Sequence, residues 1–175
     1  MLPVIRWIDS SEESKKTKGC GCMNQEAIKK AGEIIASKAN YVGGGMEGYA
    51  VLSLIDEKGY PSASALTIAR ADGINWLTFA SGPKSNKAKR IAKCNKASVC
   101  IASLKYNITL VGTIEEVTDM EHKKASWCDA MNDGAHWNAY DDPNFYVMRF
   151  ETERCSIFII DGENMLEAYG DLLKQ

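Results

Sequence analysis

GYPSASALTIARADGINWLTFASGPKSNKAKRIAKCNKASVCIASLKYNITLVGTIEEV, residues 59–117, alternates strand-like runs with turn signals and decides the fold class. Runs 62–70 and 74–80 are joined through Asp72-Gly73, a dipeptide that supplies the positive φ of a tight reversal, and they predict a β-hairpin. Ser81-Gly82-Pro83-Lys84-Ser85-Asn86-Lys87 then opens into a helical pattern over 88–93. Such a corner suits an anion: the first N–H groups of a helix lack partners, its dipole is positive there, and Ser85 and Lys87 add a hydroxyl and an ammonium. A lysine in a first helical turn opposes the dipole, so Lys87 points to a phosphate, whereas Lys84, Lys89, Arg90 and Lys93 read as a solvated face. Runs 97–104 and 107–117 predict a second hairpin-like pair with Lys105-Tyr106-Asn107 at the bend. Gly112, inside the second of these strands, marks a bulge or a close backbone approach.

Working outward toward the N-terminus, 49–56 reads as a strand. One face of the next strand carries Ser62, Ser64 and Leu66 and the other Ala63, Ala65 and Thr67. Small residues suit either close approach by a flat ligand or a tightly curved barrel strand. Upstream, Ala27, Ile28, Ala31, Ile34, Ile35 and Ala39 recur at helical spacing behind a capping Asn24. Gly43-Gly44-Gly45 lacks the lysine and following helix of a phosphate loop and reads as a turn. Residues 1–24 form an extension whose 9–18 stretch is too polar to pack alone. Within it Cys20-Gly21-Cys22 could supply half of a metal site or a redox pair, but no partner pair at ligand spacing follows, and an inert segment is the simpler reading.

Toward the C-terminus, Asp119 caps a predicted helix reaching about Met131. Residues 136–143 are irregular and aromatic, with His136 read as a structural hydrogen-bonder before a proton donor. Runs 145–152 and 155–160 predict strands, Asp161-Gly162 a turn, and 163–173 a short terminal helix.

The inventory is mainly antiparallel β with flanking helices, which favours a closed or split barrel, and no glycine fingerprint of a dinucleotide fold follows a strand. Forty-five per cent hydrophobic and 25 % charged residues with a formal charge of −2 describe an ordinary globular chain and give no reason to expect nucleic acid or an anionic membrane as partner. No apolar run reaches the roughly 18–20 residues of a membrane span, and the N-terminus lacks a basic leader, so a cytoplasmic location is expected. The six cysteines are scattered, four of them inside predicted helices or strands, and are expected to be mostly reduced.

The ordered set of strand, hairpin, Thr78-Phe79-Ala80-Ser81, Ser85-x-Lys87, helix, and two more strands with Gly112 in the second resembles the pyridoxamine 5′-phosphate oxidase-like FMN-binding split barrels. Asp141-Asp142-Pro143 before the strand from Phe145 is similar to the general stress protein branch. The resemblance covers roughly residues 27–160. It implies a split-barrel domain over 25–175, FMN as cofactor, and a homodimer with each site between subunits. Ser64, Ala65, Leu66 and Thr67 would then run along the flavin and ribityl chain, flanked by Ala80 and Ser81. Ser85 and Lys87 would hold the phosphate, and Asn107 would reach a flavin bound mainly by the other subunit. Ser64 stands where the family often has an arginine on the phosphate, a place Arg70 is the candidate to fill. The resemblance further implies a flavin-dependent oxidoreductase acting on an unidentified small molecule. Its alternatives are a non-enzymatic flavin-binding stress-response protein, or a haem or deazaflavin binder on the same fold. The C-terminal arginine and histidine of a vitamin B6 oxidase are not evident after Phe150, so pyridoxamine phosphate is not the expected substrate.

Overall fold

A computed structural model of the 175-residue chain describes residues 23–39, 48–128, 131–132 and 137–172. Gly43-Gly44-Gly45, Cys20, Cys22, His136 and residues 1–22 of the N-terminal extension lie outside the described residues. The strands are β1 (Tyr49–Ile55), β2 (Pro61–Asp72), β3 (Trp76–Ser81), β4 (Lys96–Ala102), β5 (Tyr106–Glu116), β6 (Tyr146–Asp161) and β7 (Asn164–Asp171). The helices are α1 (Gln25–Lys38), α2 (Asn86–Ile91) and α3 (Met120–Ser126). Neighbours run β3-β2-β1-β4-β5-β6-β7, and β3 also pairs with β6, so the first six strands close into an antiparallel barrel and β7 extends β6 beyond it.

Alternation explains the core. Leu52, Leu54, Val99, Ile101, Ile108 and Leu110 point inward from β1, β4 and β5, each at most 2 % exposed. Closure leaves the barrel without a free edge between β3 and β6. α1 begins at Asn24, whose Oδ1 accepts the N–H groups of Glu26 and Ala27, and it buries Ala27, Ala31 and Ile35 against the barrel. Gly73, with φ +53° in the β2–β3 turn, lies against Gly32 of α1, where a Cβ would come within 3.1 Å of the Gly73 Cα. The Asp-Gly dipeptide thus makes the turn and seats the helix.

The barrel bends at Gly112. The β5–β6 register shifts between Val111 and Gly112, as expected for a bulge, and a Cβ at Gly112 would stand 1.9 Å from the Glu151 carbonyl oxygen. Both sequence readings of this glycine hold. At the same place β6 changes its second neighbour, pairing with β3 over 146–151 and with β7 over 154–161.

The structure departs from the sequence reading in several places. Runs 145–152 and 155–160 are one strand, because exposed Glu153 and Arg154 occupy the bend rather than a break. The predicted terminal helix over 163–173 is strand β7: Leu166 and Ala168 are buried while Met165, Glu167 and Tyr169 face out, a period of two. Its residues favour helix, but pairing along β6 overrides propensity. α3 stops at Ser126 rather than near Met131, since Trp127 turns extended and packs edge-on against Phe145 at 5.2 Å. Among the described cysteines, Cys100 and Cys155 sit in strands and Cys94 and Cys128 follow helices; all four are free thiols.

Candidate functional site

β2 is the axis of the site. Its Ser64 and Leu66 stand opposite Leu52 and Ala50 and turn toward the barrel side of the sheet, Leu66 packing against the core. Ala65 and Thr67 turn outward, opposite Val51 and Tyr49. In β3, Ile68 of β2 pairs with Phe79, which brings Ala80 and Ser81 to the same end of the hairpin as the 64–67 run. Ala80 and Ser81 pair in turn with Val147 and Tyr146 of β6. Burial, with a smaller contribution from Glu116, raises the Tyr146 phenol above its ordinary range.

From Ser81 the chain continues past Gly82 into α2, whose far side reaches the start of β2. Ser85 closes a turn onto the Gly82 carbonyl at 3.0 Å and caps the helix, its Oγ accepting the Ala88 N–H at 3.2 Å. An oxygen that accepts this bond still has its own hydroxyl proton to donate. The basic run separates into two sets. Lys84, Lys89 and Lys93 are exposed, whereas Lys87 and Arg90 are half-buried, three residues apart and so on one helix face. Arg90 Nη1 donates to Ser62 Oγ at 2.8 Å, and its Nε is buried without a partner among the described residues. Sequence reading placed Arg90 on a solvated face; the i, i+3 spacing to Lys87 was the signal that could have found it.

Arg70 does not fill the place of a phosphate arginine. Its Nε and Nη2 donate to the carbonyls of Ala125 and Trp127 at 2.7 and 3.1 Å, fastening the end of α3 to β2. Asn107, at the start of β5, is exposed and its Oδ1 accepts from Thr109 Oγ1 at 3.4 Å. Two strands, β1 and β4, separate it from β2, about 14 Å at ordinary strand spacing. The β2–β3 hairpin therefore brings 64–67 and 80–81 together, Ser85 and Lys87 follow at the start of α2, and Asn107 lies three strands from β2.

The outward face of the sheet joins these places. Ala65, Val51, Cys100, Thr109, Ser156 and Tyr169 form one paired row from β2 to β7. Val51 and Tyr169 are 40 % and 53 % exposed, so small and apolar side chains stand open across the middle of the sheet. A separate cleft of about 770 Å³ opens between the start of α1 and the β6 bend, lined by Met23, Ile28, Asn75, Glu151 and Asp171 among others, and contains none of the site residues read from the sequence. His122 is exposed, with Nδ1 2.7 Å from Asp119 Oδ1. No described helix is long and apolar enough to cross a membrane.

Known proteins share this architecture. A protein from Clostridium acetobutylicum related to general stress protein 26 of B. subtilis superposes with a TM-score of 0.66 at 20 % identity, over 83 % of this chain and 95 % of that one. A pyridoxamine 5′-phosphate oxidase-related, FMN-binding protein from Nostoc punctiforme gives 0.60 at 16 % identity, over 82 % and 88 %. A heme-binding protein from Mycobacterium smegmatis gives 0.59 at 20 % identity, over 82 % of this chain and 57 % of that one. No curated protein matches the sequence significantly. The pyridoxamine 5′-phosphate oxidase family pattern matches residues 46–158, more than half of the chain and the whole barrel from β1 into β6. With six strands closed as in these relatives and that match along the sequence, the chain belongs to the pyridoxamine 5′-phosphate oxidase family.

Proposed function

We propose that this protein binds FMN between the subunits of a homodimer and acts as a flavin-dependent oxidoreductase on a small molecule. The observation that carries the reading is Lys87: a half-buried lysine in the first turn of α2, two residues after the capping Ser85, in no ion pair among the described residues. A phosphomonoester there neutralises the ammonium and accepts a charge-assisted hydrogen bond from the Ser85 hydroxyl. The fit extends along β2, where Ala65 and Thr67 offer a low outward surface to a flat ring, with Ala80 and Ser81 beside it. FMN, when bound, supplies reversible hydride chemistry at N5, and the protein's part is orientation and electrostatics.

The dimer follows from Asn107. Lying about 14 Å from β2 in its own chain, this amide serves the partner's flavin if the row through Val51, Cys100 and Thr109 packs against a second copy. An amide both donates and accepts, and so serves oxidised and reduced rings alike.

Haem is the second reading, favoured by the likeness to the Mycobacterium smegmatis protein. The one described histidine, His122, is exposed on α3 with its Nδ1 engaged by Asp119, which favours flavin. Titration of FMN into the protein with flavin fluorescence as readout tests binding; quenching that saturates supports the proposal and its absence counts against it. Oxidation of NADH or NADPH by the flavin-loaded protein with varied acceptors tests turnover, and no oxidation would leave a flavin-binding stress-response protein instead of an enzyme.

A further inference from the structure

We infer that Arg90 is the second cation of the phosphate site, delivered from α2 and held in place by Ser62; this rests on the flavin reading above. Arg90 is half-buried, its Nη1 is anchored on Ser62 Oγ at 2.8 Å, and its Nε–H is buried with no acceptor among the described residues. A buried guanidinium N–H left without an acceptor is costly, and native structures rarely keep one unless something else satisfies it.

The neighbouring acid does not do so. Asp56 Oδ1 accepts the N–H groups of Lys58 and Tyr60 at 2.9 Å each, and although the charge of Arg90 contributes to holding its carboxyl low, the two form no ion pair. Arg90 therefore forms no ion pair among the described residues and keeps a directed, buried donor without an acceptor there. Lys87, one helical turn earlier on the same face, is half-buried and likewise in no ion pair among the described residues.

Two such cations on one face, with hydroxyls of Ser62 and Ser85 beside them, make a site for a dianionic phosphomonoester. The guanidinium fork gives the planar, paired recognition that a lysine alone does not. Ser62 and Ser64 are successive residues on one face of β2. The arginine missing at Ser64 is thus replaced from across the α2–β2 contact, by a side chain that Ser62 positions against that strand.

The test compares FMN and riboflavin, which differ by the phosphate, on the full chain carrying Arg90→Gln, Ser62→Ala or Lys89→Gln. Arg90→Gln should weaken FMN by about 10–100-fold, the scale of a charge-assisted hydrogen bond, with riboflavin affinity unchanged. Ser62→Ala should weaken FMN less, and Lys89→Gln should leave it as it was. The retained riboflavin affinity also reports that the variant is folded. FMN affinity unchanged in Arg90→Gln, or reduced equally in Lys89→Gln, overturns the inference while the flavin reading stands. If the unaltered protein ignores FMN but inorganic phosphate shifts the amide resonances of residues 85–90, and Arg90→Gln abolishes that shift, the flavin reading falls and the Arg90 anion site stands. No response to either FMN or phosphate overturns both.

Discussion

Gly112→Ala places a methyl carbon where the β6 backbone already stands. The Cβ would lie 1.9 Å from the Glu151 oxygen, 3.0 Å from its carbonyl carbon and 3.1 Å from the Glu153 nitrogen. Real Cβ contacts begin near 3.0 Å, so β5 and β6 must separate by about 1.1 Å at the bend. A ladder bond of ordinary length is then stretched past 3.5 Å and ceases to be one. Losing one or two such bonds, each about 1 kcal/mol net, and leaving their buried groups without partners at about 1–3 kcal/mol, gives a destabilisation of about 3–5 kcal/mol. That is a large part of the roughly 5–15 kcal/mol that holds a domain folded. At about 2–4 °C per kcal/mol for a chain of this size, Tm should fall by about 6–20 °C. Urea unfolding followed by tryptophan fluorescence measures it, and Gly82→Ala is the control, since a Cβ at Gly82 meets nothing within 4 Å. A loss under about 1 kcal/mol for Gly112→Ala, comparable with an ordinary surface change, would refute the placement of the Glu151 carbonyl and with it the bulge that bends the barrel.

Three further outcomes are expected. Lys87→Ala should weaken FMN by about 1–3 kcal/mol and leave the far-UV circular dichroism unaltered; equal affinities by fluorescence titration would put the phosphate elsewhere. Val51→Arg, in the middle of the open row, should give a monomer by light scattering at micromolar concentration, because a buried unpaired guanidinium opposes association; a dimer that survives it uses another face. Asp142 is held below the usual carboxylate range by the N–H groups of Asn144 and Asn138, Asp119 by that of His122 and Asp56 by that of Tyr60. Each therefore stabilises the fold fully above the unfolded value near 3.8 and loses that contribution as pH falls through its lower folded value. Stability should be level from neutral pH to about 5 and fall below about 4, and Asp142→Asn should flatten the decline; an unchanged acid limb in that variant would contradict the assignment.

What could be read from the sequence was what local chemistry dictates. Asp72-Gly73 signalled a turn, Asn24 and Asp119 signalled caps, and all three act so. Gly112 signalled its own crowding. Long-range pairing escaped that reading. Residues 164–171 have helix formers at helix-like intervals, and only the hairpin at Asp161-Gly162, with Gly162 at φ +64°, and the free side of β6 make them a strand. The Asp161-Gly162 turn is legible in the sequence, whereas the strand after it depends on β6 having a side left to pair with. Arg70 looked available because it sits on β2; the carbonyls that hold it belong to α3 and its C-cap, more than fifty residues away in sequence. Arg90 looked solvated because its neighbours Lys89 and Lys93 are, and its burial depends on α2 packing against β1 and β5 and on its reach to Ser62.

The account's central claim is a flavin phosphate site on this barrel, and the most direct measurement is the visible absorption spectrum of the purified protein after incubation with FMN and removal of free ligand. Retained flavin bands, with fluorescence quenched and about one flavin per chain, are the result predicted. A colourless protein would contradict the site at Lys87, and a Soret band would place haem on the fold instead.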